Sequence, residues 1–287
     1  MSTMQEKLKK MNPRQLEAVL HTEGPLLILA GAGSGKTTVL INRIAYIIDQ
    51  SLAKPWQILA ITFTNKAAGE LKERLTAMLG DTGGDVWAAT FHSTCARILR
   101  RDGDRIGYSS HFTVYDTDDS KRLVKDCQKA LNIDDKMISH KSILSEISHA
   151  KDSMLSPADY QAAAGSDFRL AKIGAVYELY QKRLREADAM DFDDLLGNTV
   201  ELFRQCPDVL EYYQNRFRYI MVDEYQDTNQ VQYEFVRLLA GKSKNLCVVG
   251  DDDQSIYKFR GATIENIMSF EKSYPNAKVI RLEQNYR

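Results

Sequence analysis

The chain has 287 residues, enough to bury the core of one large or two moderate domains. Apolar residues make up 44% and charged residues 27%, and 38 Lys plus Arg against 39 Asp plus Glu leave a formal net charge of −1. That balance excludes a protein that coats nucleic acid through bulk charge, so any such contact has to come from a local groove of placed Lys, Arg and stacking aromatics.

From the N-terminus, residues 1–14 are polar and lack the apolar centre of a signal peptide. The first strand is expected at Leu26–Ala30; extended back to Pro25 it is the longest apolar run, far too short to span a bilayer. It runs into Gly31-Ala32-Gly33-Ser34-Gly35-Lys36-Thr37-Thr38 and then a helix over Lys36–Asp49. In a phosphate-binding loop, glycines let successive backbone N–H groups curl around phosphate oxygens, and the helix N-terminus adds its positive end. Lys36 would reach the β- and γ-phosphates and the Thr37 hydroxyl would hold Mg²⁺. Ala30 stands where the pattern has its first glycine, a small residue in its place.

Further strands are expected at 58–64 and 86–90, then at 219–223, Leu246–Gly250 and Lys278–Leu282, with helices over Asn65–Leu79 and 227–240 between them. Continuous apolar runs of this length read as strands buried on both faces, and their alternation with helices implies a doubly wound parallel α/β sheet. The middle differs. From 117 to 206 the periodicity is helical, over 120–131, 141–151, Phe168–Glu186 and 192–204, with no strand expected. This reads as an all-helical subdomain, residues 113–196, inserted into a sheet domain of 1–112 and 197–287.

Hydrolysis at a phosphate-binding loop needs a carboxylate for the metal and a base for the attacking water. The strand at 219–223 ends in Asp223-Glu224-Tyr225-Gln226, so Asp223 is expected as the Mg²⁺ partner and Glu224 as the water-orienting base. The next strand ends in Asp251-Asp252-Asp253-Gln254, where Gln254 is placed to sense the γ-phosphate and the aspartates offer a less favoured metal site. In 190–196 the acids read as a helix start, Asp191 as N-cap and Asp193 and Asp194 complementing the dipole. Lys121, Arg122, Lys125, Lys129, Lys136, Lys141 and Lys151 are equally a duplex-facing surface or a plain solvated face. The cysteines, Cys95, Cys127, Cys206 and Cys247, lie outside metal-ligand spacing and read as the reduced thiols of a cytoplasmic protein.

Together these strings resemble the UvrD/Rep/PcrA family of superfamily 1A DNA helicases along essentially the whole chain. Residues 12–15, NPRQ, are similar to the adenine-reading Q motif, and 30–37 to motif I. ITFTNKAA at 61–68 and TFHS at 90–93 resemble motifs Ia and Ib; 222–230 is similar to motif II in its DExQ form. VGDDDQSIYKFRGA at 249–262 and LEQNYR at 282–287 resemble motifs III and IV.

The resemblance implies a RecA-like P-loop ATPase using ATP and Mg²⁺, moving 3′→5′ on single-stranded DNA and acting at single-strand/duplex junctions. It implies Gln15 and Tyr286 on adenine, Arg287 as an arginine finger, and a DNA track of Phe63, Thr64, Asn65, Thr90, His92, Tyr257, Phe259 and Arg260. Phe63 reads equally as core, and His92 as a backbone hydrogen-bonder. Phe259 stands where members often have Trp, which predicts weaker base stacking. Thr38 stands where they often have Arg against adenine, which predicts looser base selectivity. The resemblance also implies a second RecA-like lobe beyond the present C-terminus; without it the chain, expected to be monomeric, should hydrolyse ATP slowly and unwind little. Two rivals stand beside this reading: the ATPase arm of an AddA- or RecB-type helicase–nuclease, and a non-motor module docking a partner on an inert P-loop.

Overall fold

The computed structural model describes residues 4–31, 33–251 and 262–283. They form two compact units, one of Met1–Phe91, Leu210–Thr228 and Val236–Arg287, the other of His92–Val209 and Asn229–Phe235.

In the first unit six described strands form one sheet: β1 (Leu26–Ala30), β2 (Ile58–Thr62), β3 (Trp87–Thr90), β6 (Tyr219–Val222), β7 (Leu246–Gly250) and β8 (Lys278–Leu282), in the order β3-β2-β6-β7-β1-β8. Every ladder is parallel. Leu26, Ile28 and Ala30 of β1 share one apolar cluster with Ile58, Ala60, Tyr219, Met221, Cys247 and Val249. Val19 of α2 (Pro13–Leu20), Val39 and Ile44 of α3 (Lys36–Asp49), and Leu71 and Leu75 of α4 (Asn65–Leu79) complete it. The alternating residues Leu27, Leu59, Ile220 and Val248 are fully buried as well, so the sheet is covered on both faces. Each such side chain contributes about 1.5–3 kcal/mol over leaving it in water.

The helix ends follow from their caps. Asn12 caps α2 in a box with Gln15, with Pro13 at the first helical position. β2 stops at Thr62 rather than 64 because Thr64 is the N-cap of α4, its hydroxyl accepting from the Ala67 N–H. The helix expected over 227–240 begins only at Gln230, as α12 (Gln230–Leu239), since Tyr225–Asp227 form a 3₁₀ turn.

The second unit packs α6 (Thr117–Ala130), α7 (His140–Asp152) and α9 (Phe168–Glu186) around Val124, Ile143, Ile147, Ile173, Val176 and Tyr180. α10 (Phe192–Gln205) starts at an Asp191 cap boxed with Asp194. Two findings depart from expectation. A two-stranded parallel ladder joins β4 (Thr113–Tyr115) to β5 (Ala189–Asp191), placing a strand inside the segment read as strandless. Three residues are too few to display an alternating pattern. Lys151, counted among the surface cations, is 8% exposed, its ammonium 2.7 Å from Asp191 and 2.9 Å from Asp194. Tyr180 also donates to Asp191 at 2.8 Å. Tertiary pairing, invisible to a helical pattern, decides where this lysine goes.

All four cysteines are free and buried. Among the described residues no helix is long and apolar enough to cross a membrane.

Candidate nucleotide site

The site grows from the C-terminal ends of three adjacent strands, β1, β7 and β6, where parallel α/β sheets form ligand crevices. After β1 the chain turns through Gly33 (φ 83°) and Gly35 (φ 86°), left-handed conformations that glycine adopts without penalty. The buried Ser34 holds the turn closed, its hydroxyl donating to the Gly31 carbonyl at 2.7 Å. Gln15 donates to the Ser34 carbonyl at 3.2 Å, so the α2 residue expected to read adenine lies against the glycine loop. Arg43 of α3, 1% exposed, anchors the end of α2 by donating to the carbonyls of Ala18, His21 and Thr22. Thr37 and Thr38 occupy the first turn of α3, Thr38 exposed.

Lys36 opens α3, its ammonium 3.2 Å from Asp251 after β7 and 3.7 Å from Glu224 after β6. Gln226, 1% exposed, closes the ring: it donates to Glu224 at 2.6 Å and accepts the Asp251 N–H at 3.0 Å. Glu224 itself is in the left-handed region (φ 50°), unusual for a side chain of its size. Its N–H donates to the Asp223 carboxylate at 2.9 Å. Burial first, then the Glu224 charge, pushes the Asp223 carboxyl up to about 6, and Lys36 acts in the opposite sense.

The Asp223 carboxyl and the Thr37 hydroxyl are the hard oxygen donors that magnesium takes when phosphates supply further ligands. A cation beside Asp223 would also return that carboxyl to its charged form. Among the described residues no cluster of three His, Cys, Asp or Glu offers a metal cage; Asp252 and Asp253 lie outside the described residues.

Of the expected DNA track, Phe63 follows β2 half-buried, its ring edge-on to Phe91 at 5.4 Å. Thr64 and Asn65 are exposed at the start of α4, and Thr90 is 7% exposed at the end of β3. His92, in the second unit, lies edge-on to Phe192 at 6.1 Å, and burial holds its pKa below the ordinary value against the opposing pull of Asp193. Ala32, Gln254, Tyr257, Phe259, Arg260, Tyr286 and Arg287 lie outside the described residues. Gln226 had no expected role beyond its place in the DExQ string; the glutamine two positions after the expected base was the available signal.

A glycine loop on β1 facing an acidic turn on β6 across one intervening strand is the arrangement of the RecA-like P-loop fold. The model for the UvrD/REP helicase N-terminal domain matches residues 11–275, and the chain belongs to that family. It is 56% identical over 280 residues to a Staphylococcus aureus protein named ATP-dependent DNA helicase PcrA, covering 98% of this chain and 38% of that protein. A Staphylococcus epidermidis protein of the same name is 55% identical over the same span. The chain thus spans about 38% of the length of the curated relatives it matches.

Proposed function

We propose that this chain is the N-terminal motor domain of an ATP-dependent 3′→5′ DNA helicase or translocase that binds Mg–ATP and single-stranded DNA. The observation that carries the reading is the ring of Lys36, Asp251, Gln226 and Glu224 at the tips of three adjacent parallel strands. Lys36 and the N–H groups of 31–35 cradle the β- and γ-phosphates. Thr37 and Asp223 would hold magnesium, which would supply positive charge against that developing on the transferring phosphoryl. Glu224 orients the attacking water, Gln254 senses the γ-phosphate, and Arg287 stabilises the transferring phosphoryl. Gln15 and Tyr286 select adenine.

Phe63, Thr64, Asn65, Thr90, His92, Tyr257, Phe259 and Arg260 form the DNA track, used at single-strand/duplex junctions. The ATP-binding domain comprises 1–112 and 197–287, with 113–196 as the inserted subdomain. Two RecA-like lobes closing on ATP are needed for translocation, so the 287-residue monomer alone binds nucleotide weakly and unwinds no duplex.

The test is fluorescence anisotropy of labelled oligo-dT against duplex, with and without Mg–nucleotide, beside an ATPase assay. Preference for the single strand, altered by nucleotide, is the expected result. A chain that binds neither nucleotide nor oligo-dT is not a motor domain, and vigorous DNA-stimulated turnover by these residues alone would contradict the need for a second lobe.

A further inference from the structure

Asn266 belongs to no motif identified in the sequence, yet it touches the acidic turn. It lies on the helix Ala262–Ser273, here α13, and its side-chain amide donates to two backbone carbonyls, Gln226 at 3.0 Å and Thr228 at 2.6 Å. Those carbonyls flank the turn that leads away from Glu224. Phe270 of the same helix, fully buried, lies edge-on to Tyr225 with centroids 5.7 Å apart.

The turn does not need Asn266 in order to exist. It is closed internally, by Asp227 N–H to the Glu224 carbonyl at 2.9 Å and by the Thr228 hydroxyl to the Tyr225 carbonyl at 2.7 Å. What Asn266 adds is direction. One NH₂ group has two hydrogens in a fixed plane, so satisfying two carbonyls at once fixes where those peptide planes point. Gln226 carries the first of them, and its side chain reaches the Glu224 carboxylate at 2.6 Å.

Sequence connectivity gives the contact a further meaning. Residues 252–261 join Asp251 to α13. Asp251, just before that segment, donates its N–H to the Gln226 side chain, and Asn266, just after it, donates to the Gln226 carbonyl. Both flanks of the segment therefore hold the same residue.

We infer that Asn266 is a positioning residue for hydrolysis: through Gln226 it sets the Glu224 carboxylate. The inference rests on the ATPase reading above and deepens it. It implies that Asn266 acts on turnover and not on nucleotide or DNA affinity.

The experiment measures steady-state ATP hydrolysis by the full chain with saturating oligo-dT, comparing the unaltered protein with Asn266→Ala, Asn266→Asp, Gln226→Ala and the Gln226→Ala/Asn266→Ala double variant. Asn266→Ala is expected to lower kcat about tenfold, which is about 1.4 kcal/mol in the barrier. KM for ATP, oligo-dT affinity and melting temperature should stay close to the unaltered values. Asn266→Asp keeps the volume but turns an acceptor toward two carbonyls, so it should lower kcat at least as far. In the Gln226→Ala background, adding Asn266→Ala should change kcat by less than about threefold, because the path is already cut.

An unaltered kcat in both Asn266 variants, effects that multiply in the double variant, or a fall in nucleotide affinity and melting temperature in step with kcat would each overturn the inference. If Asn266→Ala fails to fold, Asn266→Asp supplies the reading; failure of both assigns the residue a structural role and also overturns it. Failure of the unaltered chain to bind Mg–nucleotide, or to hydrolyse ATP even slowly, would instead sink the ATPase reading, and this inference with it.

Discussion

Asp223 stands at an energetic disadvantage that its proposed role explains, and replacing it by Asn should make the protein more stable while disabling it. Its carboxyl is raised from 3.8 to about 6 by burial and by the Glu224 charge. At about 1.4 kcal/mol per tenfold change in acidity, ionised Asp223 lowers stability at neutral pH by up to about 3 kcal/mol. The folded carboxyl holds its proton more tightly than the unfolded one, so folding takes up a proton between the two pKa values. Stability from this group is therefore intact below the unfolded value and declines as pH rises toward 6, after which the loss is complete.

An asparagine side chain in place of Asp223 would carry no charge and could still accept the Glu224 N–H that now donates at 2.9 Å. The raised value already includes the opposing pull of Lys36, so the gain from Asp223→Asn at pH 8 is about 2–3 kcal/mol, or about 4–12 °C in melting temperature for a chain of this size. Thermal unfolding followed by circular dichroism at pH 8 and pH 4.5 tests it. The advantage should be clear at pH 8 and should shrink to about a third at pH 4.5, where the folded carboxyl is largely protonated but the unfolded one is still mostly ionised. Adding Mg–ADP should raise the melting temperature of the unaltered protein more than that of the variant, since binding to the folded state stabilises in proportion to affinity. A variant that melts at or below the unaltered protein at pH 8, or keeps its full advantage at pH 4.5, would refute the reasoning.

Gly35→Ala places a Cβ 2.9 Å from the Gln15 amide at a φ of +86°, so Mg–ADP affinity by calorimetric titration should fall at least about tenfold through loop strain of about 1–3 kcal/mol. Lys36→Ala removes the ammonium 3.2 Å from Asp251; ATP hydrolysis should vanish, and fluorescent-nucleotide titration should show weaker triphosphate binding. Lys151→Met leaves Asp191 and Asp194 buried without their cation, and the urea unfolding midpoint should report a loss of about 3–5 kcal/mol. Adding Asp191→Asn and Asp194→Asn to that variant should restore most of it.

The sheet and the longest helices were legible because their signals are local. Leu26–Ala30, Leu246–Gly250 and Lys278–Leu282 are apolar runs bounded by turn residues, and α3, α4 and α9 carry apolar residues at helical spacing from end to end. The glycine loop was legible for the same reason: its requirement is backbone conformation, which Gly33 and Gly35 announce. Asp191 as a helix cap was readable too, since the Asp194 partner lies three residues on. The short helix α8 (Pro157–Ala164) had a readable start in Ser156-Pro157 and Asp159, but no apolar stripe to draw attention to it. Lys151 was not readable at all, because what buries it lies 40 residues away at Asp191. Gln226 and Asn266 belong with Lys151: each has ordinary neighbours in sequence, and their partners come together only when β6, β7 and α13 are placed.

Strand order is what turns these separate motifs into one site, and no local pattern encodes it. Neighbouring strands lie about 4.8 Å apart, so the tips of β1 and β6 are separated by about 10 Å, with β7 between them. A lysine at the start of α3 and a glutamate beyond β6 can bridge that gap, as the 3.7 Å approach of Lys36 to Glu224 shows, with Asp251 on the intervening strand tip 3.2 Å from the same ammonium. One more strand in the gap would carry Glu224 out of reach of Lys36; one fewer would remove Asp251 and with it the anchor that Gln226 uses. The order β6-β7-β1 thus fixes the span of the ring, and the proposed phosphate, metal and water-orienting groups fall at the strand tips where a single triphosphate can meet all of them.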